Sequence, residues 1–146
     1  MPRPPSEPPA IAGHGQLAGC AGRATLTVGD ADTAVAMGTG DVPVLGTPRL
    51  VALCEEASCR ALDGRLAPER TSVASRVRFE HLVPVGVGCT VAAEAVLVRV
   101  EGRRLVFTVS VHLRADGHGG LVGAGKLTRV VVDREKFVAK CAAGET

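Results

Sequence analysis

The order of patterned segments predicts an α+β fold, with one long central helix packed on a five-stranded antiparallel sheet. Three observations carry that expectation. A single stretch, Thr47 to Leu62, shows apolar residues at helical spacing. Four strand-like segments follow it, and one shorter alternating segment, Arg23 to Val28, precedes it. At 146 residues, with 46% hydrophobic and 22% charged side chains, the chain suits one domain with a substantial core. Val, Ala and Leu supply nearly all the apolar mass, and only Phe79, Phe107 and Phe137 are aromatic.

The elements follow in order. The opening MPRPPSEPPA holds five of the nine prolines, and its continuation to Gly22 has no period. Residues 1–22 are therefore expected to form a disordered Pro/Gly-rich tail, residues 23–137 the folded domain, and residues 138–146 a frayed C-terminal tail. Arg23 to Val28 reads as the first strand. Asp30 to Asp41 reads as irregular or briefly helical, closing on Gly38-Thr39-Gly40-Asp41. In the main helix Thr47 is a suitable N-cap, and Pro48 holds the favoured first position. Leu50, Leu53, Cys54, Ala57 and Ala61 make its apolar face, and Asp63-Gly64 ends it.

Alternation in the next strand places Val73, Ser75, Val77, Phe79 and His81 on one face and Arg76, Arg78 and Glu80 on the other. Cys89 to Val100 forms another strand, turning at Glu101-Gly102. Leu105, Phe107, Val109, Val111 and Leu113 alternate cleanly with polar or smaller residues, and Leu121 to Val132 is the last strand, softened by Gly123 and Gly125. These four strands read as an antiparallel meander. One helix leaves sheet edges unshielded, so a homodimer that extends the sheet or covers its edges is expected.

Composition also excludes some functions. A net charge of +2 with mixed signs, and the absence of Trp and Tyr, argue against a nucleic-acid partner. Five cysteines form no CxxC pair and no zinc-ligand spacing, so reduced thiols in a cytoplasmic protein are expected, with no metal and no redox cofactor. No run reaches the length of a membrane span, and the N-terminus lacks the apolar core of a signal peptide.

The chemistry-bearing residues are few. Thr47, Glu55 and His81 offer a hydroxyl, a carboxylate and an imidazole, the parts of an acyl-transfer site. The cap role alone explains Thr47, and the two roles are compatible. Adjacent glutamates point about 100° apart on a helix. Glu55 lies nearer the apolar stripe, whereas Glu56 is placed to pair with Arg60 at i, i+4. His81 closes the inward-facing run Val77, Phe79, His81, while His14, His112 and His118 fall in a tail, on an outward face and in a loop.

The segments PVLGTPRLVALCEEA, TSVASRVRFEHLVPVGVG, VEGRRLVFTVSV and GAGKLTRVVVDREKF together resemble the hotdog-fold thioesterases, most closely the fluoroacetyl-CoA thioesterase-like family, over residues 24 to 137. The resemblance implies a hotdog fold, an acyl-CoA substrate and a homodimer with the site at its interface. It assigns the catalytic constellation to Thr47, Glu55 and His81. Gly46 and Ala74 are the positions implied to meet substrate; Ala74 stands where the fluoroacetyl-specific enzyme has a glycine. Residues 30 to 46 contain no aromatic side chain to serve as a hydrophobic gate. Arg103, Arg104, Lys126, Arg129, Arg134 and Lys136 fall at turns and strand ends, where such side chains are ordinarily solvated; contact with coenzyme A phosphates is the other reading. The expected reaction is hydrolysis of a short acyl-CoA to the free acid and coenzyme A. The alternatives are an acyl-CoA-binding or scaffold hotdog protein without chemistry, and an enoyl-CoA hydratase, whose longer hydration motif is not found here.

Overall fold

The computed structural model describes residues 17–144. Its elements are β1 (Ala21–Thr27), a 3-10 turn (Asp30–Asp32), α1 (Ala34–Met37), α2 (Thr47–Ala61), β2 (Arg70–His81), β3 (Thr90–Glu101), β4 (Arg104–Leu113), β5 (Leu121–Asp133) and α3 (Arg134–Ala142). The five strands form one antiparallel sheet in the order β1-β3-β4-β5-β2. The long helix α2 lies against one face of it, mainly across β1 and β3. This is the hotdog arrangement that the resemblance implies.

Apolar burial explains why these segments adopt these elements. Leu50, Leu53, Cys54, Ala57, Ser58 and Ala61 form the buried stripe of α2. Val91, Ala93, Ala95 and Leu97 of β3, Leu105, Phe107, Val109 and Val111 of β4, and Val122, Leu127 and Val131 of β5 complete the core. Small residues set the helix–strand distance: a Cβ on Gly22 would overlap the carbonyl of Ala57 and the amide of Ala61. Backbone therefore packs on backbone where β1 crosses α2.

Four features differ from the sequence expectation. First, the last four strands are not a meander, because β2 pairs with β5 at the far edge of the sheet rather than with β3. β1 already occupies the free edge of β3, so the chain crosses to the opposite edge through α2 and returns through the loop after His81. Second, β2 carries an irregularity at Ser75, where Ala74 pairs with Arg129 and Arg76 with Thr128. The extra residue reverses the alternation, so Val73 lies on the opposite face from Val77, Phe79 and His81.

The other two differences lie at the ends of the chain. Ordered structure begins before Arg23: Leu17 is buried in the core, the Gly19 amide donates to the Leu97 carbonyl, and β1 opens at Ala21. The remaining part of the expected tail, residues 1–16, lies outside the described residues. At the other end α3 continues to Ala142, its first turn capped by Asp133, whose carboxylate accepts from the Lys136 amide.

Because α2 covers β1 and β3, the β2 edge is left with little helix above it. Val77 faces the helix side of the sheet yet is 40% exposed. β2 is also a free edge, with one row of backbone groups unpaired in the sheet.

Candidate active site

Gly46, not Thr47, is the N-cap of α2; it has extended backbone and no side-chain cap bond. Thr47 is thus the first helical residue, and Pro48 follows within the first turn, where its missing N–H is harmless. Freed from capping, the Thr47 hydroxyl lies 2.8 Å from Nδ1 of His81, the last residue of β2. The start of α2 and the end of β2 therefore meet at one reactive pair. The His81 Nε2 atom is buried and has no hydrogen-bond partner among the described residues. When Nδ1 accepts the threonine proton, Nε2 carries the hydrogen of the neutral ring and requires an acceptor.

The pair opens on a cavity of about 310 Å³ walled largely by Val44, Leu45, Pro48, Leu82, Val83 and Pro84. Gly46 is buried beside it, and a Cβ there would press on Sδ of Met37. Its amide donates to the Asp32 carbonyl, and its own carbonyl accepts from the amides of Arg49 and Leu50. Gly46 thus fixes the helix entry.

Glu55 lies two turns further along α2, about 12 Å in helix rise from Thr47. It is half-buried, and its carboxylate makes no hydrogen bond or ion pair among the described residues. Glu55 lines a separate cavity of about 450 Å³ with Ala52, Glu56, Cys59, Arg60 and Arg129. Glu56 is exposed and pairs with Arg49 at 3.4 Å rather than with Arg60, whose guanidinium donates to the Arg23 carbonyl. Arg49 is drawn to the helix start by Asp32, 3.2 Å away, and reaches Glu56 from there.

Arg129 is the residue whose burial the sequence understated. It is only 6% exposed, and no carboxylate pairs with it among the described residues. Its Nε donates to the Ser72 hydroxyl at 2.8 Å, one terminal nitrogen donates to the Ser72 carbonyl at 2.9 Å, and the other to the Ser58 hydroxyl at 3.4 Å. Ser58 in turn donates to the Glu55 carbonyl at 2.6 Å. A buried cation is thus held by neutral groups beside a carboxylate that has no ion-pair partner, a costly arrangement in a chain on its own. The available signal was its inward alternation with Leu127 and Val131. Ala74 pairs in register with Arg129, about 23 Å along β2 from His81.

Within one chain, then, the three catalytic candidates do not converge. Thr47 and His81 meet at one cavity, whereas Glu55 lines another with Arg129, which pairs in register with Ala74.

A model of the fluoroacetyl-CoA-specific thioesterase family matches residues 28–135. The chain belongs to this family. A fluoroacetyl-CoA thioesterase from Streptantibioticus cattleyicolor is 37% identical over 97 residues, covering 66% of this chain and 67% of that protein. A solved fluoroacetyl-CoA thioesterase structure superposes with a TM-score of 0.80 at 29% identity, covering 90% of this chain and 99% of the other. A thioesterase superfamily member from Thermus thermophilus superposes with a TM-score of 0.78 at 24% identity, covering 86% of this chain and 90% of that one, and shares the fold. Family membership makes this hotdog protein a thioester hydrolase, as the sequence resemblance implied.

Proposed function

We propose that the chain hydrolyses a short acyl-CoA thioester in a homodimer whose active site joins Thr47 and His81 of one protomer to the partner subunit's Glu55. The observation that carries this reading is the 2.8 Å contact between the Thr47 hydroxyl and His81 Nδ1. A hydroxyl bonded to an imidazole is an activated nucleophile or a positioned proton donor at a carbonyl.

The proton path follows from the pair. His81 Nδ1 takes the Thr47 proton as Oγ bonds to the thioester carbon. When the C–S bond breaks, the imidazolium returns the proton to the coenzyme A thiolate. Water then cleaves the acyl-threonine ester with His81 again as base, releasing the acid and restoring the hydroxyl. The partner subunit's Glu55 accepts the Nε2 hydrogen of His81, which holds the ring's tautomer and stabilises its charged form.

The free β2 edge supports the homodimer. Two copies of β2 pairing antiparallel through a two-fold axis bring residue i opposite residue j with a constant sum. An axis through Arg78 keeps opposite side chains on one face, Val77 across from the partner subunit's Phe79, and the extra residue at Ser75 shifts that sum by one, so that His81 of one protomer lies across from the partner subunit's Ala74. That register carries the Glu55–Arg129 half toward the Thr47–His81 half and covers exposed Val77. Five unpaired cysteines and a coenzyme A substrate favour a reducing, cytoplasmic setting.

The test is thiol release from a panel of acyl-CoA esters. Thr47→Ala, His81→Ala and Glu55→Ala should each lower kcat/KM by about 10²- to 10⁴-fold with the fold retained. Turnover that survives all three substitutions unchanged would remove these residues from the mechanism.

A further inference from the structure

The sheet face turned away from α2 carries a second feature that thioester hydrolysis does not use. Strand register sets Arg76 opposite Thr128, Thr128 opposite Val106, and Val106 opposite Arg99, giving one row across β2, β5, β4 and β3. The row has long basic residues at its ends and short ones between them, so its middle is a trough. On one side the adjacent row contributes Val130 and Arg104, with Glu101 beyond them. On the other side stand Arg78 and Lys126, directly opposite each other. The trough, lined by Arg76, Arg99, Arg104, Thr128, Val106 and Val130 among others, holds about 450 Å³.

Its charge is unbalanced. Glu101 is taken by Arg99. Arg76, Arg78, Arg104 and Lys126 have no ion-pair partner among the described residues, and neither does nearby Glu80 on the same face. Like charges placed directly across a strand pair, as Arg78 and Lys126 are, destabilise a sheet unless an anion sits between them. The floor of Val106 and Val130 is apolar, and Val106 is buried beneath the surrounding side chains. An apolar floor ringed by guanidinium forks suits a flat organic group bearing a diphosphate, because each fork matches two phosphate oxygens.

We infer that this trough on the outer sheet face binds a nucleoside diphosphate, separately from the acyl-CoA site. The sheet itself lies between the trough and the Thr47–His81 pair, which opens on the helix side.

Titration of the intact protein with ADP at low ionic strength, followed by calorimetry, tests the assignment. ADP should bind saturably, one per chain, and weaken with added salt; adenosine should bind at least about tenfold more weakly. Arg99→Ser combined with Arg104→Ser should weaken ADP binding by about tenfold or more. The same double variant should keep the parent's melting temperature and acyl-CoA hydrolysis, since both side chains lie on the outer face of β3 and β4, away from the β2 edge and the helix side. The corresponding double lysine variant, which keeps charge but loses the fork, should weaken ADP by a smaller factor. Thr47→Ala should leave ADP binding unchanged. Absence of saturable ADP binding would overturn the inference. So would equal ADP affinity in the double serine variant, or a raised KM for acyl-CoA in it, which would move the trough into substrate binding. None of these outcomes bears on whether Thr47 and His81 hydrolyse thioesters.

Discussion

Thr47 is where two explanations of one residue separate. A threonine before a proline at a helix start is sufficiently explained as a cap, and loss of a cap costs about 1 kcal/mol. Gly46 holds the cap position instead, and the Thr47 hydroxyl is bonded to His81. Thr47→Val keeps the shape and removes only the hydroxyl. It should change unfolding free energy by less than about 0.5 kcal/mol in urea titration while abolishing most thioester turnover. A loss near the full cap value with activity intact would return the residue to a structural role. The cysteines give a second prediction at this scale. Burial, reinforced by the neighbouring Glu55 carboxylate, pushes the Cys54 thiol up to about 12. Its thiolate fraction at pH 8 is then on the order of one in ten thousand, so Cys54 should resist alkylation in the native protein. Exposed Cys59, Cys89 and Cys141 should be labelled first, as read by peptide mass spectrometry. Thr47, Glu55 and His81 were each legible from the sequence as reactive residue types, and within the chain the structure brings together Thr47 and His81 but not Glu55. Arg129 was not legible, because an arginine near a strand end ordinarily reaches solvent, and only its phase with Leu127 and Val131 marked it as inward.

Elements were legible where burial imposes a period. The α2 stripe and the β4 alternation follow directly from apolar spacing, and both stand in the structure as expected. Pairing was less legible, since alternation identifies a strand without naming its neighbour. β2 therefore read as the first strand of a meander, although β1 already filled the vacant side of β3. The irregularity at Ser75 was hidden for a related reason: one inserted residue leaves both halves of β2 alternating and shifts only their relative phase. The close approach of β1 to α2 supplies a test at this scale. Gly22 faces the backbone of α2 at Ala57 and Ala61, neither of which can yield as a flexible side chain would. Gly22→Ala should destabilise the fold by about 1–3 kcal/mol in urea titration, with the loss arising from overpacking. A neutral result would mean that β1 and α2 sit further apart than described.

At the scale of the whole molecule, one chain holds two clusters of reactive side chains that do not meet. Thr47 and His81 stand at the junction of α2 and β2, while Glu55 and Arg129 line a different cavity. If a two-fold axis through β2 completes the site, each active site draws residues from both protomers. Thr47→Ala then damages one half and Glu55→Ala the other, and each homodimer has two defective sites. A heterodimer of the two variants places both lesions in one site and leaves the second site intact. Random pairing of equal amounts gives about half heterodimers, each with one working site of two, so roughly a quarter of the parent activity should return. Co-expression with two affinity tags, or refolding a mixture from urea, allows the exchange, and kcat per chain is the readout. Mixtures that stay as inactive as the separate variants, with heterodimers demonstrated by the tags, would place Thr47, His81 and Glu55 in a site built by a single chain. Recovery near one quarter would show instead that the lone carboxylate and the orphaned imidazole nitrogen are each other's partners across the interface.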